Sequence, residues 1–366
     1  MKILLVITGL GMGGAEKQVC DLAVTYSSLG HDVTILSMHG EPILKPQCPS
    51  VDILSLRMKK SVTGVISAYL KTRKVIKNLE PDVVHSHMVH ANIFMRLVRF
   101  TTFIKRLICT AHSSNEGGKL RMLAYKLTQR QGDLLTNVSE EAVEAFVDKG
   151  ACNPDRIIAL HNGIDTSKYS FSEESRLTYR RKIGVNADEI LILAVGRLTE
   201  AKDYPNLLNA FVSLLLTTER KVKLAIVGDG EKRQELKILA EELGIEDKVH
   251  FIGLSHQVPQ WMSAADLFVL SSAWEGFGLV VAEAMATERV TVATDSGGVG
   301  EVVSKYGFLV PPRDSHALSG SLKQALEMPE DEKQALGAKA REHVEKHYSL
   351  LAISKKWLSL YQAHNQ

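Results

Sequence analysis

The chain has 366 residues, 45% of them hydrophobic and 23% charged, with a formal net charge of +2. That length suits two domains of roughly 150 residues, and the composition excludes a disordered or fibrous chain in favour of an ordinary soluble globular protein. No apolar run approaches the roughly 18 residues that a membrane span requires.

In chain order, Met1-Lys2 and the run Ile3-Leu4-Leu5-Val6-Ile7 come first. The run is too short for a signal peptide and ends in a glycine loop instead of a small-residue cleavage site, so it reads as a buried strand. Apolar runs at 3–8, 32–37, 83–86, 107–111, 134–138 and 156–160 predict strands, and amphipathic stretches at 15–29 and 140–149 predict helices between them. A polar stretch at 166–188, carrying Ser172-Glu173-Glu174-Ser175 and no strand signal, reads as the connection between domains. The pattern then restarts with strands at 190–195, 223–227, 249–252, 267–270 and 290–293 and helices at 206–216 and 233–243. A tail helix is expected at 350–364, with Trp357 and Tyr361 on one face.

Strands alternating with helices predict an α/β chain of two Rossmann-like units with mainly parallel sheets. Their boundaries are expected at 1–168, completed by the tail 350–366, and at 169–349. Ligands of such sheets bind beyond the carboxyl ends of the strands, so a cleft between the two units is the expected site. The four cysteines (Cys20, Cys48, Cys109, Cys152) form no C-x-x-C pair, which argues against a disulfide framework or zinc site and fits a reducing cytoplasm.

Charge is unevenly spread. Between Arg57 and Arg130 fifteen Lys and Arg face only Glu80, Asp82 and Glu116, a local excess of twelve positive charges. Such a stretch is either a solvated basic surface or an attraction for an anionic one, such as a lipid leaflet or a pyrophosphate-bearing acceptor. Nucleic acid is not expected, because interleaved aromatics and nucleic-acid-binding motifs are missing.

Gly9-Leu10-Gly11-Met12-Gly13-Gly14 formally fits the dinucleotide-binding pattern G-x-G-x-x-G. A dehydrogenase would carry an acidic residue at the end of its second strand. Here that strand ends Leu36-Ser37-Met38-His39, with Asp32 at its beginning. What survives is a loop whose glycines let backbone approach a ligand, before a helix N-terminus at Gly14-Ala15-Glu16 that favours an anion; a purely structural turn is the alternative.

The second half carries the sharper signal. Strand 190–195 ends in Gly196-Arg197-Leu198, with Lys202 five residues beyond Arg197. A planar fork and a point charge on one loop suit a diphosphate without a metal. Strand 267–270 leads into Ser271-Ser272-Ala273-Trp274-Glu275-Gly276-Phe277-Gly278-Leu279, where a helix begins near Leu279. Its glycines expose N–H groups at a helix N-terminus, a second phosphate-holding device. Glu283 lies one turn inside that helix among Val280, Val281, Ala282 and Ala284; a carboxylate buried there needs polar partners, such as a ribose diol.

These residues resemble the retaining glycosyltransferases of family 4. The matches are Gly13-Gly14-Ala15-Glu16, Asn162-Gly163-Ile164-Asp165, Gly196-Arg197, Lys202, Gly228-Asp229-Gly230 and the E-x7-E pair Glu275 and Glu283, in the family's order along nearly the whole chain. The resemblance implies the GT-B fold, two Rossmann-like domains facing a central cleft with the tail helix crossing back to the first. It implies that Arg197 and Lys202 bind the donor diphosphate, that Glu283 binds the ribose, and that Glu275 with the Gly276-Phe277-Gly278-Leu279 backbone binds the transferred sugar. Gly13, Gly14, Gly196, Gly228, Gly253 and Leu254 complete the expected donor site, the base lying near Gly253-Leu254-Ser255. His112 matches the family histidine at the reaction centre, so His112, Arg197, Lys202 and Glu275 are the expected catalytic group. Glu16, His87 and Asn162 are the expected acceptor contacts. One departure is Gly297-Gly298-Val299-Gly300-Glu301, where Gly300 stands in place of the family's proline.

No D-x-D pair is present, so metal-independent chemistry with a nucleotide-sugar co-substrate and no cofactor is expected. The implied reaction retains the anomeric configuration and yields an α-linkage; with no compelling enzymic nucleophile in the sequence, same-face attack with the leaving phosphate as base is expected. The expected substrates are a nucleotide sugar, UDP-linked on family frequency or alternatively GDP-mannose, and a lipid-linked saccharide of bacterial O-antigen, capsule or exopolysaccharide synthesis. The expected location is cytoplasmic, at the inner face of an anionic membrane. A sugar-nucleotide epimerase, a phosphorylase-like enzyme and a non-catalytic binding protein share the fold. The Glu275/Glu283 pair favours transfer over epimerisation. The short chain, with no lysine in a recognisable pyridoxal-phosphate context, disfavours a phosphorylase, and the intact charged residues disfavour a binding protein.

Overall fold

Continuous Val, Ile and Leu runs bury both faces of a strand, which is the pattern of a parallel sheet covered by helices on either side. A computed structural model describes residues 1–114 and 116–363 and resolves these runs into two such sheets, one in each of two units. The first unit is Met1–Gly163 with the segment from Leu350, and the second is Ile164–Ser349.

The first sheet has seven parallel strands: β1 (Lys2–Gly9), β2 (Asp32–His39), β3 (Asp52–Ser55), β4 (Val83–His87), β5 (Leu107–Thr110), β6 (Leu134–Asn137) and β7 (Ile157–Ala159). Their order is β3-β2-β1-β4-β5-β6-β7, so Leu4 pairs with Thr34 on one side and Val84 on the other. The direction of winding reverses between β1 and β4, and right-handed crossovers therefore place the connecting helices on opposite faces. Helices Val62–Leu79, Val89–Arg99, Lys119–Thr128 and Glu140–Asp148 cover one face, sharing a core with Ala68, Ile76, Met95, Tyr125 and Phe146. Helix Gly14–Ser28 and tail helix Leu350–Gln362 cover the other, around Leu22, Tyr26, Ile353, Trp357 and Tyr361. Residues 364–366 of the expected tail lie outside the described residues.

The second sheet is β8 (Ile190–Val195), β9 (Val222–Val227), β10 (Val249–Gly253), β11 (Leu267–Leu270), β12 (Val290–Thr294) and β13 (Phe308–Val310), all parallel in the order β10-β9-β8-β11-β12-β13. Its winding reverses between β8 and β11. Four of the helices begin where a side chain satisfies a free N–H group: Ser61, Ser139, Ser172 and Asp314 each accept from the backbone three residues on.

The polar stretch at 166–188 is not a plain connection. It contains helix Glu173–Lys182, built into the second unit, where Asp266 accepts from Arg176 at 2.5 Å and from Arg180 at 2.9 Å. Burial pushes the Asp266 carboxyl up, but the Arg176 guanidinium and the Leu191 N–H outweigh it and hold the group below the usual carboxylate range. Charge anchors this helix, so its sequence shows no apolar stripe. Two edge strands also went unread: β3 alternates with solvent and β13 has only three residues. The chain passes between units beside Ile164, whose N–H donates to the Tyr348 carbonyl at 2.7 Å. No helix among the described residues is long and apolar enough to cross a membrane.

Candidate active site

In the second unit the loops leaving the carboxyl ends of β8 to β12 touch one another in a continuous rim. Gly228, at φ 147°, lies against the loop after β8 so closely that a Cβ there would stand 1.9 Å from the Gly196 carbonyl oxygen. The Gly228 N–H donates to the Gly253 carbonyl at 2.9 Å, which ties in β10. On the other side Gly297, at φ 59°, leaves no room for a Cβ beside the Glu275 carbonyl. Only glycine meets both the backbone angle and the approach at these two positions.

Within this rim Lys202 Nζ donates to Glu275 Oε1, and Ser272 Oγ donates to the same oxygen at 2.7 Å. The ammonium and the carboxylate are both mostly covered, which strengthens their attraction. Ser271 Oγ donates to the Lys202 carbonyl at 2.8 Å and the Ala273 N–H to the Ala201 carbonyl at 2.9 Å, so the two loops are stitched together. An ammonium has three N–H donors, and this bond engages one. Arg197 projects into solvent and forms no ion pair among the described residues. Tyr204 Oη, donating to the Gly196 carbonyl at 3.3 Å, braces the loop that carries it.

The helix begins at Leu279 and ends at Ala286, and Gly278 supplies a left-handed residue (φ 82°) at its N-cap. Phe277 is buried, its ring edge-to-face with Tyr348 at 5.5 Å. Glu283 is only 4% exposed, buried among the apolar residues of its helix as its neighbours in sequence suggest. The Gly298 N–H donates to the Gly276 carbonyl at 3.1 Å, and a helix forms over Val299–Val303 without the family's proline at Gly300. Leu254, beyond Gly253, is exposed.

In the first unit the structure joins His87, the last residue of β4, to His112 beyond β5, with His87 Nδ1 and His112 Nε2 3.1 Å apart. Burial lowers the His112 imidazole to about 4 and holds His87 well below the ordinary histidine value. Both rings are therefore neutral at pH 7 and act as hydrogen-bonding groups instead of cations. His87 Nε2 is buried and has no hydrogen-bond partner among the described residues. Glu116 accepts from the His112 N–H at 2.9 Å and from Tyr125 Oη at 2.7 Å, and burial raises its carboxyl above the usual range.

Behind this pair, His85 stacks on His87 with centroids 4.0 Å apart. Its ring nitrogens bond Tyr361 Oη of the tail and Thr110 Oγ1, each at 2.6 Å. The remaining expected residues of this unit lie at the start of helix Gly14–Ser28 and beyond β7. The Glu16 carboxylate folds back over Gly13, within 2.5 Å of where a Cβ would stand, so the start of helix Gly14–Ser28 already has an anion of its own. Asn162 is buried beside Gly163, whose N–H donates to Gln18 Oε1 at 2.9 Å.

Sequence reasoning missed Ser272, His85 and Glu116. Ser272 precedes Glu275 by three residues and Glu116 follows His112 by four, spacings that invite local bonds. His85 has no such signal, because its partner Tyr361 is 276 residues away.

Residues 12–168 match the family described as Glycosyltransferase Family 4, and residues 175–343 match Glycosyl transferases group 1. The chain is similar, at 26% identity, to the N-acetylgalactosamine-N,N'-diacetylbacillosaminyl-diphospho-undecaprenol 4-alpha-N-acetylgalactosaminyltransferase of Campylobacter jejuni, with 89% of this chain and 90% of that protein covered. The amylovoran biosynthesis glycosyltransferase AmsD of Erwinia amylovora shows the same identity and coverage. In structure the chain resembles Anabaena Alr3699/HepE, solved in complex with UDP, at a TM-score of 0.84 and 23% identity over 98% of this chain and 99% of that one. That likeness is one of fold, the GT-B fold of two Rossmann-like domains.

Proposed function

The chain belongs to the glycosyltransferases, its first half to family 4 and its second to group 1, and on that premise we propose that it moves a hexose or N-acetylhexosamine from a UDP-sugar to a lipid-linked saccharide, with retention, in bacterial surface-polysaccharide assembly. The observation that carries the donor half is the rim around β8 and β11, where exposed Arg197 stands on the same loop as a lysine already locked to Glu275. The acceptor half is supported by the Campylobacter relative, whose name gives a diphospho-undecaprenol saccharide as acceptor and an α-linkage in the product.

In this reading the second unit holds the donor. Arg197, Lys202 and the N–H groups at Gly278-Leu279 take the charge that grows on the departing diphosphate, a preorganised electrostatic stabilisation. Gly196, Gly228, Gly276 and Phe277 supply backbone around it, Gly253 and Leu254 flank the base, and Glu283 holds the ribose diol. Glu275, oriented by Ser272 and Lys202, receives sugar hydroxyls. The sugar C1–O bond to phosphate breaks as the acceptor oxygen bonds C1 from the same face. The acceptor proton passes to the departing phosphate oxygen. His112 and His87, being neutral, offer hydrogen bonds to sugar hydroxyls and carry no charge into the step. Glu16, Asn162, Gly13 and Gly14 are the remaining contacts proposed on the first unit.

A thermal-shift titration with UDP, GDP and ADP tests the donor half, since a ligand that binds only the folded state raises Tm. UDP should give the largest rise. A rise with GDP alone would replace the UDP assignment by a GDP-sugar, and no rise with any nucleotide would overturn the donor site.

A further inference from the structure

The outer surface of the first unit is apolar and basic at once, on the face of the sheet that carries helices Val62–Leu79, Val89–Arg99 and Lys119–Thr128. Helix Val62–Leu79 turns Val62, Val65, Ile66 and Leu70 outward, a stripe at helical spacing, with Val62 77% exposed. Leu97, Phe100 and Phe103 follow at the end of the next helix, Phe103 at 84% exposure. Helix Lys119–Thr128 presents Leu120, Leu123 and Leu127, the first and last at 83% and 75%. These are neighbours. Tyr69 Oη bonds Thr101 Oγ1, joining the first helix to the Phe100–Phe103 turn, and Arg96 Nη1 donates to the Tyr125 carbonyl at 3.2 Å, joining the second helix to the third. A folded chain does not leave so many large apolar side chains together in water without a partner.

The charges say which partner. Lys71, Lys74 and Lys77 of the first helix and Lys119, Arg121 and Lys126 of the third are all exposed. Of the acids in the same stretch, Glu116 is buried and Asp82 is engaged by Lys105 at 2.9 Å, which leaves exposed Glu80 at the helix end. Helix Glu140–Asp148, with Glu140, Glu141 and Glu144, bounds the surface with the opposite charge. A second copy of the chain on this face would set one basic field against another.

We propose that this face docks the protein on an anionic lipid bilayer, with Phe100, Phe103, Leu120 and Leu127 entering the headgroup–acyl boundary and the surrounding lysines and arginines on lipid phosphates. Apolar insertion and electrostatic attraction are the two terms that bind interfacial helices, and two together give stable attachment where one gives a marginal one. Each basic residue near the surface multiplies partition about fivefold. The purpose of this docking rests on the lipid-linked acceptor proposed above, whereas the surface itself rests on exposure and charge.

The test is co-sedimentation of the full chain with vesicles of phosphatidylcholine alone and of phosphatidylcholine with one-third phosphatidylglycerol, compared with the double variant Phe103→Ser/Leu120→Ser and the charge variant Lys119→Glu/Lys126→Glu. Both pairs are exposed, so unchanged thermal unfolding checks that the variants fold. The chain should bind the anionic vesicles, and each variant should lose about tenfold or more of the partition. Transfer to a water-soluble, short-chain acceptor should stay at the wild-type level in both variants, so a failed acceptor assignment shows there and not in the vesicles. Failure to bind anionic vesicles overturns the proposal. So does binding that the apolar variant leaves intact, or sedimentation velocity showing a dimer that the apolar variant dissociates.

Discussion

Tyr361→Phe removes one hydroxyl that two buried groups share. Tyr361 Oη lies 2.6 Å from His85 Nδ1 and 3.1 Å from Tyr26 Oη, and His85 and Tyr26 are both completely buried. The substitution keeps the ring, so packing against Trp357 stays, and it orphans a histidine nitrogen inside the core. Leaving such a group unsatisfied costs about 1–3 kcal/mol. Because β4 carries His85 and forms the middle of its sheet, the cost should appear in the opening free energy of that strand. Native-state amide exchange at Val83–His87 should accelerate roughly 5- to 140-fold, at 1.4 kcal/mol per factor of ten. The Tyr69→Phe control loses a bond at an exposed site and should change little. His85 also backs His87, which meets His112, so kcat for transfer should fall while the UDP-induced rise in Tm is kept. Exchange within twofold of wild type in β4 would refute the reasoning that this tail hydroxyl closes the histidine network.

Acid should destabilise the first unit. Unfolded imidazoles protonate near 6.5, whereas folded His112 resists protonation until about 4. As pH falls between those values the unfolded chain binds protons that the folded chain refuses, so stability drops by at most ~3 kcal/mol from this ring, which keeps some solvent access. His85 and His87 act in the same direction, and Glu116, raised by burial, opposes them in part. A urea midpoint unchanged from pH 7 to pH 4.5 would contradict this. Gly228→Ala should cost on the order of 3 kcal/mol or more in the second unit, since its Cβ meets backbone. Gly320→Ala, in open space within helix Ser315–Glu327, should instead stabilise by about 0.5–1 kcal/mol; thermal unfolding compares them. Asp266→Ala strands buried Arg180 and should cost about 3–5 kcal/mol by the same assay.

The sequence showed the sheets wherever both faces of a strand are buried. Strands β8 and β11 fall at 190–195 and 267–270, as their unbroken apolar runs predict. Edge strands β3 and β13 escaped, because β3 alternates with solvent and Gly307 and Pro311 cut β13 to three residues, whereas β7, equally short, sits in the apolar run 157–160. Helix Glu173–Lys182 escaped because ion pairs to Asp266, distant in sequence, hold it in place of an apolar stripe. Within the site, the residue types around Arg197 and the helix at Leu279 were readable from local spacing. The Lys202–Glu275 bond was not, since it closes across 73 residues between loops that Ser271 and Ala273 stitch together. Equally hidden was Glu16 folding over Gly13, which turns an open anion site into one the chain has begun to fill itself. The basic stretch was visible as a count; its apolar companions emerged only once the fold showed which faces are buried.

The donor grip of Arg197 and Lys202 is the central claim, and release of nucleoside diphosphate from UDP-sugars, measured with a diphospho-undecaprenol-linked saccharide present, tests it most directly. Wild-type protein should release UDP only when the acceptor is added. Arg197→Ala and Lys202→Ala should each lower that rate by roughly 10²- to 10³-fold, the cost of removing one preorganised group that stabilises developing charge, while the fold stays intact by thermal unfolding. Folded variants that both transfer at near wild-type rates would contradict the account.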